Sequence, residues 1–360
     1  MNILDRYILK KFLSILIFGL FALCIIFMIV DLMENMDNFI DEKATVLIIA
    51  KYYLNFFPEI IKLLMPVAVL ISTLFSIGRL SVLNEITAMK TGGLSLYRMM
   101  VPLSILCLLL SLGQLYFNGW IVPISNQKKA EIERKYLHKS TGNRQIYNLY
   151  FRDNPNRNVI MQFYDSEQKY GTKIAIEDYV GNIKPRLVSR IEAEKITWDS
   201  IKKIWNLKTG KKFNFAGDGA SMSLFDSSNI ELKITNRQLA RLNLKIDEMN
   251  FDEVKDYIAT LELGGKDVRR QEIEYYGEYA YPFANFIVIL FGVPFASVRK
   301  KGGIAIQIGA AMIISFLYLV FTKIGQTIGI SFDLPPIVVG WSANVIFLCF
   351  GLINIFKTKT

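Results

Sequence analysis

The chain holds one histidine, His138, and three cysteines among its 360 residues. Chemistry that needs two imidazoles is therefore excluded. Cys24, Cys107 and Cys349 all fall inside apolar runs, none flanks a loop, and no metal-ligand spacing exists. They read as free buried thiols, not as a disulfide framework. No run of five or six like charges stands out, so the net charge of +10 gives no nucleic-acid arm. No G-x-x-x-x-G-K-[ST] phosphate loop occurs; Gly210-Lys-Lys and Gly264-Gly-Lys lack the spacing. There is no internal repeat. The polar middle of the chain lacks cysteine, a zinc-ligand pattern and a serine elbow, which leaves little for a membrane-anchored enzyme beyond a carboxylate pair drawn from Asp218, Asp226 and Glu231.

What is abundant is apolar residues, 52% of the chain, gathered in runs of the length that crosses a bilayer. The first is Phe12 to Val30. Its basic prefix resembles a signal peptide, but the run is longer than an h-region and no small-residue cleavage site follows, so a retained anchor is expected. The second is Glu59 to Gly78, with Pro58 expected before its first turn. The third is Val101 to Val122, with Pro123 just past its end. The fourth is Tyr279 to Val298, the fifth Ile304 to Thr322, and the sixth Ile337 to Phe356, introduced by Pro335-Pro336. Basic residues fix the direction. Arg6, Lys10, Lys11, Arg79, Lys90, Arg98, Arg299, Lys300, Lys301, Lys357 and Lys359 fall on one face of a six-span alternation, which is the cytoplasmic one.

The organisation expected is therefore residues 1–123 as three spans, 124–276 as a domain outside, and 277–360 as three more spans. Residues 125–140 read as a helical extension of the third span. After Gly142 short segments with apolar/polar alternation follow: Val159–Tyr164, Lys173–Glu177, Leu187–Ala193, Trp205–Leu207, Phe213–Phe215 and Ile230–Ile234. Gly171, Gly181-Asn182, Gly210 and Gly217-Asp218-Gly219 are read as the turns between them, giving an antiparallel sandwich or open barrel. A helix closes the domain, with capping-box spacing at Asn250 and Glu253 and a stripe of Phe251, Val254, Tyr257, Ile258 and Leu261, ended by Gly264-Gly265.

The loop between the second and third runs is the most informative for function. Leu80, Leu83, Ala88 and Met89 can share one face of a short helix near 80–93, and Glu85 is its only carboxylate, against Arg79, Lys90 and Arg98. A few apolar knobs and one charge pair would dock a cytoplasmic motor; an interfacial helix that only connects two spans is the plainer alternative. Lys62 lies one turn inside the second run, where a charge needs a cavity, a partner or a route to the surface, and Glu59 offers an intrahelical pair. Gly325 and Gly329 have helix-packing spacing. Three spans on either side of a domain also fit an ion-coupled carrier or a membrane scaffold.

The chain resembles the lipopolysaccharide-export permeases of the LptF/LptG (YjgP/YjgQ) family. The resemblance is carried by Leu4-Asp-Arg-Tyr-Ile-Leu-Lys-Lys-Phe, Leu64-Met-Pro-Val-Ala-Val-Leu, Ile77-Gly-Arg-Leu, Asn84-Glu-Ile-Thr-Ala-Met-Lys-Thr-Gly-Gly-Leu-Ser, Ile191-Glu-Ala-Glu-Lys-Ile-Thr-Trp, Tyr281-Pro-Phe-Ala, Gly292-Val-Pro-Phe-Ala and Leu334-Pro-Pro. The loop around Glu85 is closer to the G-type than to the F-type subunit. The resemblance implies six transmembrane helices (3+3) with a periplasmic antiparallel β-jellyroll, in a Gram-negative inner membrane, with both termini cytoplasmic. It implies a heterodimer with a second permease and a cytoplasmic LptB-like ATPase dimer that binds ATP and Mg. It also implies an LptC-like single-span partner and an LptA-like bridge, with lipopolysaccharide as cargo, no nucleic acid, and no enzyme chemistry on this chain. Glu85 matches the family's coupling-helix carboxylate, with Arg79, Leu83 and Met89 beside it. Basic rim residues Lys43 and Lys62 are candidates for phosphate. Phe163, Ile174, Ile176, Ile191, Trp198, Phe213, Phe215 and Leu232 are expected to face the interior of the β domain, either as its packed core or as contacts for acyl chains.

Overall fold

A computed structural model describes residues 3–137, 145–181, 185–216, 219–242, 244–297 and 303–357. His138, Asn182, Gly217, Asp218, Arg299, Lys300, Lys301 and Lys359, each invoked above, lie outside the described residues. The chain divides into two compact units. One comprises Met1–His138 with Arg269–Thr360; the other is Lys139–Val268.

The first unit is helical: α1 (Ile3–Asp41), α2 (Val46–Val82), α3 (Glu85–Thr91), α4 (Leu96–Tyr116), α5 (Val122–Ile132), α8 (Arg269–Ala280), α9 (Ala284–Ser297), α10 (Gly303–Ser331) and α11 (Pro336–Lys357). Six helical stretches are long and apolar enough to cross a membrane: Ile3–Asp41, Val46–Val82, Leu96–Leu137, Arg269–Ser297, Gly309–Ser331 and Pro336–Phe356. They overlap the six apolar runs one for one, but several run on past them. α1 continues through Asp31, Glu34 and Asp37, because Asp31 accepts from the Tyr53 hydroxyl at 3.0 Å and its carbonyl takes the Asn35 amide. α2 starts at Val46, so Pro58 and Pro66 are inside it and Pro58 does not open it. The third span runs through Pro123. A π-helical turn, Phe117–Ile121, precedes it and takes up the register that the missing proline N–H would break. Cys24 and Cys107 are buried, whereas Cys349 is exposed on the helix surface, against expectation.

The second unit holds β1 (Gln145–Asn154), β2 (Arg157–Asp165), β3 (Tyr170–Val180), β4 (Arg186–Asp199), β5 (Ile204–Ala216) and β6 (Gly219–Ile230), followed by α6 (Asn236–Arg241) and α7 (Phe251–Leu263). Each strand pairs antiparallel with its neighbour in sequence, giving one six-stranded sheet of the jellyroll-like kind expected. One face carries the core: Val159, Met161, Tyr164, Ile174, Ile176, Ile196, Trp205 and Leu207, covered by Leu232, Ile234 and Leu239 from beyond β6. The Trp205 indole N–H donates to the Ile234 carbonyl at 2.9 Å, which pins that covering segment. Asn250 and Glu253 form the capping box of α7, whose Phe251, Val254, Ile258 and Leu261 are buried. Burial opposes ionisation of Glu253. The Asn250 backbone N–H and the guanidinium groups of Arg241 and Arg237 outweigh it and hold the carboxyl below its usual range.

Gly210 is not a turn. It sits in the middle of one long strand, β5, opposite Ala193 on one side and Phe225 on the other. A side chain there would run into the Phe225 ring and the Glu192 carbonyl. β1 was not foreseen, and Ile230 is the last residue of β6, so Leu232 and Ile234 belong to the connector.

A crease crosses the sheet. The paired register steps from Tyr147↔Phe163 to Leu149↔Met161, from Phe163↔Thr172 to Met161↔Ile174, from Thr172↔Lys195 to Ile174↔Ala193, from Lys195↔Lys208 to Ala193↔Gly210, and from Lys208↔Ser227 to Gly210↔Phe225. One row is skipped throughout: Asn148, Gln162, Lys173, Glu194, Thr209 and Asp226. On alternate strands its residues have left-handed backbone, with φ of 51° at Asn148, 51° at Lys173 and 50° at Thr209. The inward set then jumps by three residues instead of two. Tyr164 and Met161 are both buried, as are Gly171 and Ile174, and Ile196 and Ala193. The break in alternation moves several aromatics to the outer face. Phe163 packs between Tyr147 and Tyr170, away from the core. Phe213 pairs with Arg190 and exposed Met222. Phe215, two residues on, shares the face of Phe213. None of the three joins the core, whereas Ile174, Ile176 and Leu232 do, with Ile191 and Trp198 at its margin.

Candidate functional site

The helical unit is built around α2, which packs against α1, α5, α9 and α10. Two places on it carry polar chemistry. The first is its C-terminal end. Leu83 closes α2, Asn84 takes a left-handed conformation (φ 60°), and α3 starts afresh at Glu85. α3 is held by Ile86, which is 3% exposed and buried in the helical core, a residue the sequence reading passed over. The proposed shared face does not form. Leu80 belongs to α2 and is fully buried, Leu83 and Ala88 are exposed, and Met89 is half-buried against the same core.

Glu85 is half-buried, and its carboxylate accepts from the Tyr7 hydroxyl at 3.0 Å. Arg98, at the start of α4, pairs with Asp5 at 3.1 Å. The turn region is thus tied twice to the first turns of α1, once through Glu85 and once through Arg98. Arg79 is exposed on the last turn of α2.

The second place is the break at Pro66. Proline has no N–H, so the carbonyl four residues back, that of Lys62, loses its helical donor. In an apolar slab such a group must find another partner. Gln114 on α4 supplies it, Nε2 to the Lys62 oxygen at 3.1 Å. The Gln114 oxygen in turn accepts from Asn285 Nδ2 on α9 at 2.5 Å, and the Tyr281 hydroxyl donates to the Leu63 carbonyl at 2.7 Å. The Lys62 ammonium does not pair with Glu59. It meets Glu278 on α8 at 2.7 Å, while Glu59 takes Lys129 at 2.5 Å. The intrahelical pair is therefore replaced by two links between helices, and the second, third and fourth spans are clasped at one level. Lys43 is exposed in the turn between α1 and α2, with φ 51°. Gly325 and Gly329 are used within the chain, against Ser342 and Val339 of α11.

In the β unit, Ile176 is fully buried in the core and Trp198 is half-buried at its margin, tilted against Trp205 with ring centroids 4.9 Å apart. Among the described residues no group of three or more His, Cys, Asp or Glu could hold a metal ion. Asp226 lies in the crease, exposed on the outer face.

Six apolar helical stretches divided three and three in sequence around one antiparallel β domain, with a short helix in the turn between the second and third, define a multi-pass membrane protein of permease type. Residues 6–357 match the family described as "Lipopolysaccharide export system permease LptF/LptG", and the chain belongs to that family. It is 21% identical to the lipopolysaccharide export system permease protein LptG of Escherichia coli K12, over 94% of this chain and 93% of that protein. It is 21% identical to LptG of Haemophilus influenzae, over 96% of each. It is 20% identical to LptF of Escherichia coli K12, over 99% of this chain and 95% of that protein. The likeness extends to both subunit types across nearly their whole length.

Proposed function

We propose that this chain is one permease subunit of an ATP-driven transporter that extracts lipopolysaccharide from the outer leaflet of the inner membrane. On this reading it passes the lipid to a periplasmic bridge for delivery to the outer membrane. The observation that carries the reading is the family match over residues 6–357, which takes in both the six spans and the β domain. The sequence has no phosphate loop, so ATP and Mg belong to a separate cytoplasmic ATPase dimer. A second permease of the same family completes the membrane part, with a single-span partner and a soluble bridge beyond it. Both termini are cytoplasmic and the β domain is periplasmic, which the basic residues at the span ends support.

In this mechanism the ATPase grips α3. Ile86 roots the short helix, Met89 lies on it, Arg79 and Leu83 precede it, and Glu85 offers its carboxylate to a basic residue of the motor. The Tyr7 and Asp5 links pass the push to α1. Closure of the spans then drives lipid out of a cavity whose rim includes Lys43 and Lys62. A lipid phosphate at Lys62 would compete with Glu278 for the same ammonium, so binding there couples to the clasp between spans two and four. Within the β domain, Trp198 at the margin of the core and buried Ile176 are the side chains offered to acyl chains. Phe163 and Phe215, on the outer face, are not among them.

The test is co-purification in mild detergent followed by reconstitution. Glu85→Ala is expected to weaken recovery of the ATPase about tenfold or more, the scale of losing one charge-assisted contact at an interface centre. ATP-dependent lipid release should fall with it. Undiminished ATPase recovery and release would remove the docking role.

A further inference from the structure

We propose that the crease on the outer face of the β domain is a binding track for oligosaccharide. It would hold the sugar portion of the glycolipid while the acyl chains are handled elsewhere. This inference rests on the proposed function for the origin of the sugar, but its geometry stands on the sheet alone.

The first observation is the row itself. Six strands skip pairing at one level, and the six residues there are all polar and all exposed. A sheet gains nothing in stability from this. Skipped pairs forgo ladder contacts, and left-handed φ at Lys173 and at β-branched Thr209 is uncommon and costly, about 1–3 kcal/mol each. The row itself has no partners in the ladder. It spans five inter-strand spacings, about 24 Å at 4.8 Å each, enough for several sugar rings.

The second observation is a cavity of about 500 Å³ over the β3–β6 part of the crease, whose lining combines charged Lys173, Arg190, Glu194, Lys211 and Asp226 with a larger apolar surface from residues such as Ala175, Leu224 and Phe225. Both signs of charge are present, so the lining suits neither a bare phosphate nor a cation. It suits a neutral or mixed ligand rich in hydroxyls, each of which donates to a carboxylate and accepts from an ammonium or guanidinium. Arg190 is held between Glu177 and Glu192, and its Nε is buried without a hydrogen-bond partner.

The third observation adjoins the cavity on β1–β3. Tyr147, 61% exposed, packs edge-on against Phe163 at 5.4 Å, and Phe163 lies 5.8 Å from Tyr170. Lys195 sits over the Tyr170 ring at 4.8 Å and directly opposite Lys208. Like charges opposite one another weaken a strand pair. An aromatic shelf on the polar face of a sheet offers the flat apolar surface that the C–H face of a sugar ring covers, beside donors and acceptors for its hydroxyls.

The experiment uses the full chain in lipid nanodiscs. The probe is lipid-free core oligosaccharide, released from rough-form lipopolysaccharide by mild acid. Saturable binding is expected, weakened about fivefold to tenfold by Tyr147→Ala and by Glu194→Gln with Asp226→Asn, the scale of one aromatic or one to two hydrogen-bond contacts. These side chains are exposed, so the melting temperature should hold, and the two variants check one another. Absence of saturable binding to the wild type, or binding by both variants as tight as that of the wild type, overturns the proposal. Lipid A without core sugar is run in parallel with the whole transporter. If it is bound and released while the oligosaccharide does not bind, the track falls and the transport reading stands. If the oligosaccharide binds while no lipid form is released, the track stands and the transport reading falls.

Discussion

Spans two and four differ from spans one and five in almost every respect that packing can measure. In the most apolar window of each, 56% of span two and 67% of span four is buried within the chain, against 11% for span one and 11% for span five. The buried pair is studded with small and polar groups. Gly292 faces Thr73 and Leu70, the Ser81 hydroxyl donates to the Ser297 carbonyl at 3.1 Å, and Asn285 and Gln114 bridge the break at Pro66. The peripheral pair presents Ile17, Phe18, Phe21 and Ile26 on α1, and Met312, Ile313 and Phe316 on α10, outward. In lipid, apolar side chains give no net drive for helices to associate, so close backbone approach and polar clasps must supply it. Spans two and four are therefore a fixed post. Spans one and five leave most of their apolar surface uncovered within the chain.

The largest effect that would break this contrast is steric. A Cβ at Gly292 would lie 2.8 Å from Thr73 Cγ2 and 3.4 Å from Leu70 Cδ1. Thr73 cannot turn away easily, because its hydroxyl is bonded to the Val69 carbonyl at 2.7 Å. Gly292→Leu should cost about 3 kcal/mol, the upper end of overpacking penalties, and lower the melting temperature in detergent by several degrees. Gly19 on α1 and Gly309 on α10 have nothing within 4 Å of such an atom. Gly19→Leu should shift stability by no more than about 0.5 kcal/mol. Equal losses at Gly292 and Gly19 would mean that the post is not where the burial places it.

Next comes the clasp. Gln114→Leu removes the donor to the Lys62 carbonyl and the acceptor for Asn285 at once, with little change in volume. Polar contacts between transmembrane helices are worth about 0.6 kcal/mol on average and up to about 1.7. The loss should approach about 2 kcal/mol because two contacts go and Asn285 is left buried. Asn285→Leu in the same background should return part of it, which a double-mutant cycle on unfolding in mixed micelles would read. Additive losses would show that the two side chains act independently.

How much of this could be read from the chain follows from the range of each signal. The six spans were legible because a run of about twenty apolar residues is a local and strong pattern. Their ends were not. Asp31, Glu34 and Asp37 look like a stop, yet Tyr53 from the next helix keeps α1 going. Pro123 looks like a terminator, and a π-helical turn absorbs it. In the β domain the period of two was legible on each side of the crease but not across it. Gly210 therefore looked like a turn between two short strands, and Phe163, Phe213 and Phe215 were placed on the wrong face. Of the polar contacts, the capping box at Asn250 and Glu253 is three residues wide and was read directly. Lys62 with Glu278 and Tyr7 with Glu85 join distant parts of the chain, and no spacing rule reaches them.

The smallest effect concerns a polar thread that joins α3 to a peripheral span. Tyr7 is 42% exposed, so its 3.0 Å bond to Glu85 adds at most about 0.5 kcal/mol to folding, the usual return from a surface contact. Tyr7→Phe should leave the melting temperature and the recovery of the ATPase nearly unchanged. Its consequence lies in transmission. On the proposed mechanism Glu85 can still meet the motor without the hydroxyl, while the Asp5–Arg98 pair remains as a polar link between α1 and this region. ATP hydrolysed per lipid released should rise about twofold to threefold, in keeping with a coupling term of under 1 kcal/mol. Glu85→Ala would lose docking and release together. A Tyr7→Phe variant that docks, hydrolyses ATP and releases lipid as the wild type does would show that force reaches span one by packing alone, through the buried contacts of Ile8 and Phe12 with the helical core.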